Sequence, residues 1–287
     1  YHGNLAALIL RNKIPLIWNI RHSLTDLKNE KYLTRFIIRL GGVLSRYVSA
    51  ILYNSQAALV QHKNISYKCN LSEVIHNGFE TQRFLPNPIL RQKTRNNLGI
   101  GPKIKVFGMV GRYHPVKDHN TFLQAAGCAI MEDKNLAFIL IGKGINKQNT
   151  ILMDAIKKYY LECHIHLIDE VSSIEQILPA FDCAVLTSLS EGLPNVIGEA
   201  MSCGVPCIAT DVGDTAILVA DTGIIIKPNQ PEQLSKNILK YAALSHEERS
   251  NKELNARARI VNHYTIEKVT QKYIKLTNTL CKNHNLQ

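Results

Sequence analysis

The chain of 287 residues is 45% hydrophobic and 20% charged, a composition that excludes a disordered or low-complexity protein. No run of 18 or more apolar residues occurs, so the sequence predicts no transmembrane helix. The formal charge of +11 is uneven, because residues 1–100 hold 14 Lys or Arg against 4 Asp or Glu. Such a basic module either attracts phosphates, anionic lipid or nucleic acid, or serves solubility alone.

The first hundred residues have the pattern of the later part of an α/β unit. In chain order, the predicted elements are a helix over 5–10, a strand over 15–20, a long helix over 31–48 and short strands over 51–53 and 73–76. The following segment, 85–103, is rich in Pro and Gly and breaks the pattern. We therefore expect a domain boundary there.

The helix predicted over 31–48 is amphipathic. Its apolar residues follow the i, i+3, i+4, i+7 spacing, while Lys31, Arg35, Arg39 and Arg46 occupy the other face. One interpretation is a helix packed on the core with a solvated basic face. The other is an interfacial helix near anionic lipid.

From residue 104 onward, strands and helices alternate. The predicted strands cover 104–110, 136–141, 165–168, 184–187 and 205–209, and the predicted helices cover 119–131, 151–161, 172–181 and 196–203. The segment beyond Pro231 is mostly helical. Short apolar strands alternating with helices indicate βαβ units, and hence an α/β fold with a parallel sheet between helix layers.

The segment 188–201 follows a predicted strand and leads into a helix. It therefore lies at the carboxyl end of a parallel sheet, where α/β folds bind ligands. In this segment Gly192 allows close approach of the backbone, Pro194 sets the first helical turn and Asn195 is a suitable cap. A helix N-terminus in this position can bind an anion such as phosphate.

Charged side chains surround this expected anion site. Glu191 precedes the turn and Glu199 lies within the helix, so both could accept hydrogen bonds from hydroxyls of a ligand that carries a diphosphate. A second loop, 108–118, also follows a strand and carries Arg112 and Lys117. Paired cations near a phosphate site neutralise the charge of a leaving group in a transfer reaction.

Other nucleotide and metal motifs are weak or missing. Gly142 and Gly144 form a GxG at a strand end, but no third glycine follows at Rossmann spacing and no Walker A sequence occurs. The seven cysteines include no CxxC pair, and most lie in apolar stretches, so we expect buried, reduced thiols. No Cys/His pair at zinc spacing follows Cys203 and Cys207.

Together these motifs resemble those of the retaining glycosyltransferases of the GT-B fold, family 4 (glycosyl transferases group 1). The resemblance rests on Glu191 and Glu199 with seven residues between them, on Arg112 and Lys117, on the GxG after the next strand, and on the run that continues through Ala209. It is dense over residues 104–260 and weaker over 1–85.

The resemblance implies a fold of two Rossmann-like domains. The first would be a partial, acceptor-side domain over 1–95, and the second a nucleotide-sugar-binding domain over 103–263. A final helix near 264–281 would pack back on the first domain. Relatives begin with a strand and a Gly-rich loop, and nothing of that kind precedes Tyr1, so we expect the chain to lack roughly the first quarter of such an enzyme.

The resemblance also implies roles for individual side chains. Arg112 and Lys117 would hold the diphosphate, Glu199 would bind the ribose hydroxyls, and Glu191 would contact the transferred sugar. His22, at a strand end, would approach the donor sugar and the acceptor, although a lone His there also fits a structural role. Further donor-binding positions implied by the family are Gly111, Gly142, Gly144, Val171, Gly192, Leu193, Pro194, Asn195 and Val196. In the segment of the base pocket, Asp169 stands where relatives usually have Gly.

The implied function is transfer of a hexose or N-acetylhexosamine, with retention, from a nucleoside diphosphate sugar, UDP-sugars being favoured. The acceptor would be a saccharide or a lipid-linked acceptor in cell-surface polysaccharide biosynthesis. No DxD motif occurs, so we expect neither a metal nor any cofactor beyond the donor substrate. The expected location is the cytoplasm, and the basic first third allows peripheral contact with an anionic membrane.

Three alternatives compete with this interpretation. A nucleotide-sugar-binding fragment without catalytic activity and a GT-B nucleotide-sugar epimerase both remain open, although the Glu191/Glu199 signature argues against the epimerase. A nucleic-acid binder would use the basic first third. That stretch lacks a reading motif and aromatic platforms, so no nucleic-acid partner is expected.

Overall fold

The computed structural model describes residues 1–11, 13–24, 27 and 31–284. The strands among them are β1 (Ile17–Ile20), β2 (Ala50–Tyr53), β3 (Ser72–Val74), β4 (Lys105–Val110), β5 (Leu136–Ile141), β6 (Ile165–Ile168), β7 (Cys183–Leu186), β8 (Cys207–Thr210) and β9 (Ile224–Ile226). The α-helices are α1 (His2–Ala6), α2 (Tyr32–Leu44), α3 (Gln56–Asn64), α4 (Pro88–Asn97), α5 (His119–Glu132), α6 (Thr150–Lys158), α7 (Asn195–Ser202), α8 (Thr215–Val219), α9 (Pro231–Ala242), α10 (His246–His263) and α11 (Ile266–His284).

The chain forms two compact units. Unit 1 consists of Tyr1–Gly78, Ser190–Leu193 and the described residues from Ile266 onward. Unit 2 consists of Phe79–Leu189 and Pro194–Thr265. The prediction of an α/β fold with parallel sheets flanked by helices is confirmed.

Unit 1 is built on a parallel sheet with the order β1-β2-β3. Because side chains alternate along a strand, each face of the sheet has its own core. Trp18 and Tyr53 point to the face that α2 covers through Ile38. Leu52 points to the opposite face, where it packs with Val269 of α11. The sheet therefore lies between two helix layers.

Unit 2 is built on a six-stranded parallel sheet with the order β6-β5-β4-β7-β8-β9. Its core contains Phe107 of β4, Phe122 of α5, Phe138 of β5 and Tyr241 of α9, each with at most 2% of its surface exposed. Continuous apolar strands of this kind need a helix layer on each face. The order reverses at β4, with β5 and β6 on one side and β7, β8 and β9 on the other.

The boundary between the units lies after Gly78, so its predicted position within 85–103 is wrong. That segment contains α4, which belongs to unit 2. Arg91 and Arg95, one helical turn apart on α4, each form an ion pair with Asp182, at 2.6 and 2.7 Å. Asp182 also accepts a hydrogen bond from the backbone N–H of Val106 at 2.6 Å. These bonds attach α4 to the sheet of unit 2.

The helix predicted over 172–181 is also wrong. The structure has two short 3₁₀ turns there, Ile174–Gln176 and Leu178–Ala180. Pro179 lies in the second turn, has no backbone N–H to donate and cannot continue an α-helix. The apolar spacing of the segment comes from the burial of this irregular chain against the core.

The cysteines divide into two groups. Cys183, Cys203 and Cys207 are buried as predicted, and burial raises the pKa of Cys207 to about 12. The prediction is wrong for Cys128, Cys163 and Cys281, which are exposed, while Cys69 is half-buried. All seven are free thiols. Within the described ranges, no three His, Cys, Asp or Glu side chains group as metal ligands, and no helix has the length and apolar character to span a membrane.

Candidate functional site

The candidate site of unit 2 lies at the carboxyl ends of its central strands. β4 pairs with β5 on one side and with β7 on the other, for example through Phe107 with Phe138 and with Cys183. The connections on the two sides therefore leave this point in opposite directions. In open parallel sheets, the crevice at such a reversal of strand order is where ligands bind.

The loops after β4 and β5 are joined by backbone hydrogen bonds. Gly111 donates its N–H to the carbonyl of Ile141, and Tyr113 donates to the carbonyl of Lys143, both at 2.8 Å. Gly142 has φ +145°, and a Cβ added there would lie 2.4 Å from the carbonyl oxygen of Gly111. Only glycine fits this position, so the close contact of the two loops depends on Gly142.

Asp169 fastens the loop after β5 to the end of β6. One carboxylate oxygen accepts hydrogen bonds from the N–H groups of Gly144, at 3.1 Å, and Glu170, at 2.8 Å. The other accepts from Nδ2 of Asn146 at 2.7 Å. These bonds, above all the one from Asn146, lower the pKa of Asp169 below its ordinary value. The departure from the family's usual glycine therefore has a structural role in this chain.

Lys117 lies at the end of the loop that follows β4. Its side chain runs along Gly111, with Cδ 3.4 Å from where a Cβ of Gly111 would be. The hydroxyl of Thr187, just after β7, lies 2.8 Å from the carbonyl oxygen of Lys117 and 3.0 Å from that of Asp118. The loop is therefore held at the ends of β5 and β7, which fixes the backbone at Lys117.

His119, the first residue of α5, supports the same loop. It is 5% exposed, it forms a hydrogen bond with the backbone of Gly111, and its ring centroid lies 5.1 Å from that of Tyr113. Burial lowers the pKa of His119 to about 4, so the ring is neutral at neutral pH. No sequence pattern indicates this contact, because it depends on how α5 packs beneath the loop.

A cleft of about 250 Å³ opens at these loops. Four residues of the predicted site line it: Gly111, Arg112, Gly142 and Val171. The other lining residues are Val110, Ile141, Lys143, Glu170 and Ile174. The cleft thus has two cations and one carboxylate around an apolar floor formed by the strand ends.

α7 begins at Asn195, and its N-cap is Pro194. The prediction that Asn195 caps the helix is therefore wrong, since it is the first helical residue. The backbone N–H groups of Asn195 and Val196 lie in the first turn, where a helix presents its positive dipole end.

Glu199 lies one turn further along α7 and is half-buried. Burial raises the pKa of Glu199, an effect that the charge of Arg83 opposes and that Glu175 and Glu80 increase. Arg83 forms an ion pair with Glu175 at 3.1 Å. Arg83 and Glu175 are absent from the predicted site, because Arg83 lies in the stretch 1–95 assigned to the first domain and Glu175 in the misassigned helix.

Four predicted site residues belong to unit 1. Glu191, Gly192 and Leu193 group with it, and a Cβ added to Gly192 would lie 3.2 Å from Oδ1 of the buried Asn54. His22 is exposed after β1, with its ring centroid 6.3 Å from that of Tyr1. The other predicted site residues lie in unit 2, namely Gly111, Arg112, Lys117, Gly142, Gly144, Val171, Pro194, Asn195, Val196 and Glu199.

The sequence is similar to known glycosyltransferases. Residues 104–243 match the family model described as glycosyl transferases group 1. The chain is 31% identical, over 69% of its length and 52% of the relative's, to the UDP-Gal:alpha-D-GlcNAc-diphosphoundecaprenol alpha-1,3-galactosyltransferase of Escherichia coli. It is 21% identical, over 84% of its length and 60% of the relative's, to the N-acetyl-alpha-D-glucosaminyl L-malate synthase of Bacillus anthracis.

The fold is also similar to solved structures. The Anabaena protein Alr3699/HepE, in complex with UDP and glucose, superposes with a TM-score of 0.85 at 24% identity, over 97% of this chain and 75% of that protein. The chain spans about half the length of the curated relatives that it matches. Residues 104–243 are therefore similar to the glycosyl transferases group 1 family, and the fold is that of GT-B glycosyltransferases.

Proposed function

We propose that the chain acts in the cytoplasm as part of a retaining glycosyltransferase that uses a UDP-sugar. The sugar would be a hexose or N-acetylhexosamine, and the acceptor a saccharide or lipid-linked acceptor of cell-surface polysaccharide biosynthesis. The observation that carries this proposal is the cleft of unit 2 at the reversal of strand order, which Arg112 lines and beside which the same loop continues to Lys117. Two similar proteins support the substrate classes, one solved with UDP and glucose and one named for a UDP-Gal donor and a diphosphoundecaprenol-linked acceptor.

In this proposal the donor's diphosphate lies against the loop that follows β4. The departing nucleoside diphosphate carries away negative charge when the sugar leaves. Arg112 and Lys117 would stabilise that charge, and they would do so without reorganisation because the loop is already held in place. In other transferases a bound metal stabilises the charge of the leaving group. Here the two side chains would do so instead, and we therefore propose a metal-independent reaction.

The remaining contacts follow from the chemistry of a nucleotide sugar. The first turn of α7, with Asn195 and Val196, would bind the distal phosphate through backbone N–H groups. The carboxylate of Glu199 would accept hydrogen bonds from the ribose hydroxyls. The roles of Glu191 and His22, toward the transferred sugar and the acceptor, rest on the family resemblance.

Isothermal titration calorimetry with UDP tests the donor site. Lys117→Met and Glu199→Gln should each weaken UDP binding roughly 10- to 100-fold, because a hydrogen bond to a charged group contributes about 1.5–3 kcal/mol. The matched controls are Lys157→Met and Glu132→Gln, which replace exposed side chains of α6 and α5. Parental affinity in both site variants would contradict the proposed site, whereas a loss shared by the controls would show that the effect is not local.

A further inference from the structure

The peptide that joins Gly111 to Arg112 lies at the edge of the candidate donor cleft. Both residues line the cleft, and the peptide between them is trans. In a trans peptide, the carbonyl of one residue and the N–H of the next lie on opposite edges of the same plane. The direction of the Gly111 carbonyl therefore fixes the direction of the Arg112 N–H.

The Gly111 carbonyl is turned toward the interior of unit 2. Its oxygen lies 2.4 Å from where a Cβ of Gly142 would be, so it faces the loop after β5. His119 forms a hydrogen bond with the backbone of Gly111. The N–H of Gly111 is already donated to the carbonyl of Ile141 at 2.8 Å, so the group that bonds His119 is the Gly111 carbonyl. The Arg112 N–H consequently points away from β5 and α5, toward the side of β4 on which β7 lies.

His119 lies behind the loop rather than in the cleft. The side chain is buried on α5, and its ring packs against that of Tyr113. Burial lowers the pKa of His119 to about 4, so at neutral pH the ring is neutral and has a single N–H. That N–H is donated to the Gly111 carbonyl. His119 therefore acts on the cleft through the orientation of this one peptide.

Other bonds hold the loop itself in place. The N–H of Tyr113 bonds the loop after β5, and the hydroxyl of Thr187 bonds the far end of the loop at Lys117. Neither bond involves the Gly111 carbonyl. Glycine has more accessible backbone conformations than other residues, so the peptide after Gly111 can turn over unless its carbonyl is held. A reversed peptide would present a partly negative oxygen to a phosphate, which would oppose binding.

We propose that His119 is a positioning residue of the donor site, which holds the Gly111 carbonyl inward so that the Arg112 N–H donates a hydrogen bond to a phosphate of the donor. A backbone N–H that is oriented before the ligand arrives binds an anion without the cost of reorganisation. Arg112 then contacts the diphosphate through both its guanidinium and its N–H. This inference rests on the proposed donor site and adds to it one backbone contact and the residue that orients it.

Nuclear magnetic resonance of the protein with isotope-labelled arginine follows the Arg112 N–H directly, and Arg112→Lys identifies its signal. The probes are UDP and uridine, which differ by the diphosphate alone. We expect UDP to move the signal of the Arg112 amide proton downfield, as a hydrogen bond to an anion does, and uridine to leave it nearly unmoved. His119→Phe keeps an aromatic ring beside Tyr113 but has no N–H to donate, so in this variant the shift caused by UDP should be lost.

The same titrations give the affinities. His119→Phe should weaken UDP binding about tenfold and uridine binding by less than about twofold, because the variant loses a hydrogen bond to a charged group and keeps the contacts to base and ribose. His119→Asn and His119→Gln each retain an N–H donor at a different reach, and at least one of them should bind UDP within about threefold of the parent. The matched control is His62→Phe, which removes a buried histidine bonded to the Ala58 carbonyl in unit 1 and should bind UDP like the parent.

Several results would overturn the proposal. They are equal shifts of the Arg112 amide with UDP and uridine, an undiminished shift or parental UDP affinity in His119→Phe, a loss of affinity that UDP and uridine share, and failure of both amide variants to recover UDP binding. Far-UV circular dichroism checks that each variant keeps its fold. Absence of UDP binding by the parent would contradict the donor site as well, whereas the other results contradict this inference alone.

Discussion

Units 1 and 2 are both parallel sheets between helices, yet they differ in where a ligand can bind. The sheet order of unit 2 reverses at β4, whereas the described strands of unit 1 follow chain order without a reversal. A crevice at strand ends requires such a reversal, and the cleft beside Arg112 lies there. Strand order, rather than fold class, therefore locates the candidate donor site.

The two units also use charge differently. In unit 2, Arg91 and Arg95 are engaged by the buried Asp182. Burial opposes ionisation of Asp182, but the two arginines hold its pKa below the ordinary value. In unit 1 the arginines of α2 border an exposed apolar face. Cations therefore stabilise the interior of unit 2, whereas in unit 1 those of α2 lie beside exposed apolar side chains.

The largest effect is expected from Asp182→Ala. The substitution leaves the buried guanidinium of Arg95 without its partner, which should reduce the free energy of unfolding by about 3–5 kcal/mol. Urea unfolding followed by far-UV circular dichroism measures the loss. Trp18 is the one tryptophan of the chain and lies in unit 1, so its fluorescence transition should move less. The control is Asp154→Ala, at an exposed position of α6, and equal stability of the two variants would contradict the account.

Acid should destabilise both units through one buried histidine each. Burial lowers the pKa of His62, in unit 1, and of His119, in unit 2, from 6.5 to about 4. As the pH falls, each histidine therefore takes up a proton in the unfolded chain before it does so in the folded chain. The contribution of each histidine to the free energy of unfolding is thus fully present above pH 6.5 and is lost toward pH 4. Each histidine should account for a loss of roughly 3 kcal/mol over that range.

Unfolding at several pH values measures this effect. His62→Gln should flatten the pH dependence of the Trp18 transition, and His119→Gln should flatten that of the transition followed by circular dichroism. An unchanged pH dependence in both variants would show that these histidines do not couple protonation to folding.

A smaller difference is expected between two helix caps. Ser55 accepts a hydrogen bond from the N–H of Ala58 at the start of α3 and is fully buried, whereas Ser245 caps α10 at the surface. Replacement of an N-cap serine by alanine costs about 0.5–2 kcal/mol, and burial places Ser55→Ala at the upper end of that range. In thermal unfolding, Ser55→Ala should have a lower Tm than Ser245→Ala. The reverse order would contradict this reasoning.

The regular core of unit 2 was predictable from the sequence. β5 and β6 have the predicted bounds, because β5 is a continuous apolar run and β6 is apolar except for His166. α4 was missed although it had a signal: Asn87 caps it, Pro88 occupies the first turn and Gly99 follows its end with φ +68°. Frequent Pro and Gly in that segment marked the ends of a helix rather than a linker.

The candidate site was predictable only in part. Arg112 and Gly142 closely follow strands, and Lys117 lies in the same loop as Arg112, so sequence order places them at the sheet edge. Contacts that depend on packing were not predictable. His119 reaches Gly111 from α5, and Arg83 comes near Glu199 from a segment assigned to the other domain.

Hydrogen–deuterium exchange with and without UDP tests most directly the claim that a nucleoside diphosphate binds at the reversal of strand order in unit 2. We expect UDP to slow exchange in peptides covering 108–118, 141–146 and 194–200. Peptides covering α2 should exchange at the same rate in both states. Protection confined to residues 1–78, or no protection in any peptide at saturating UDP, would contradict the account.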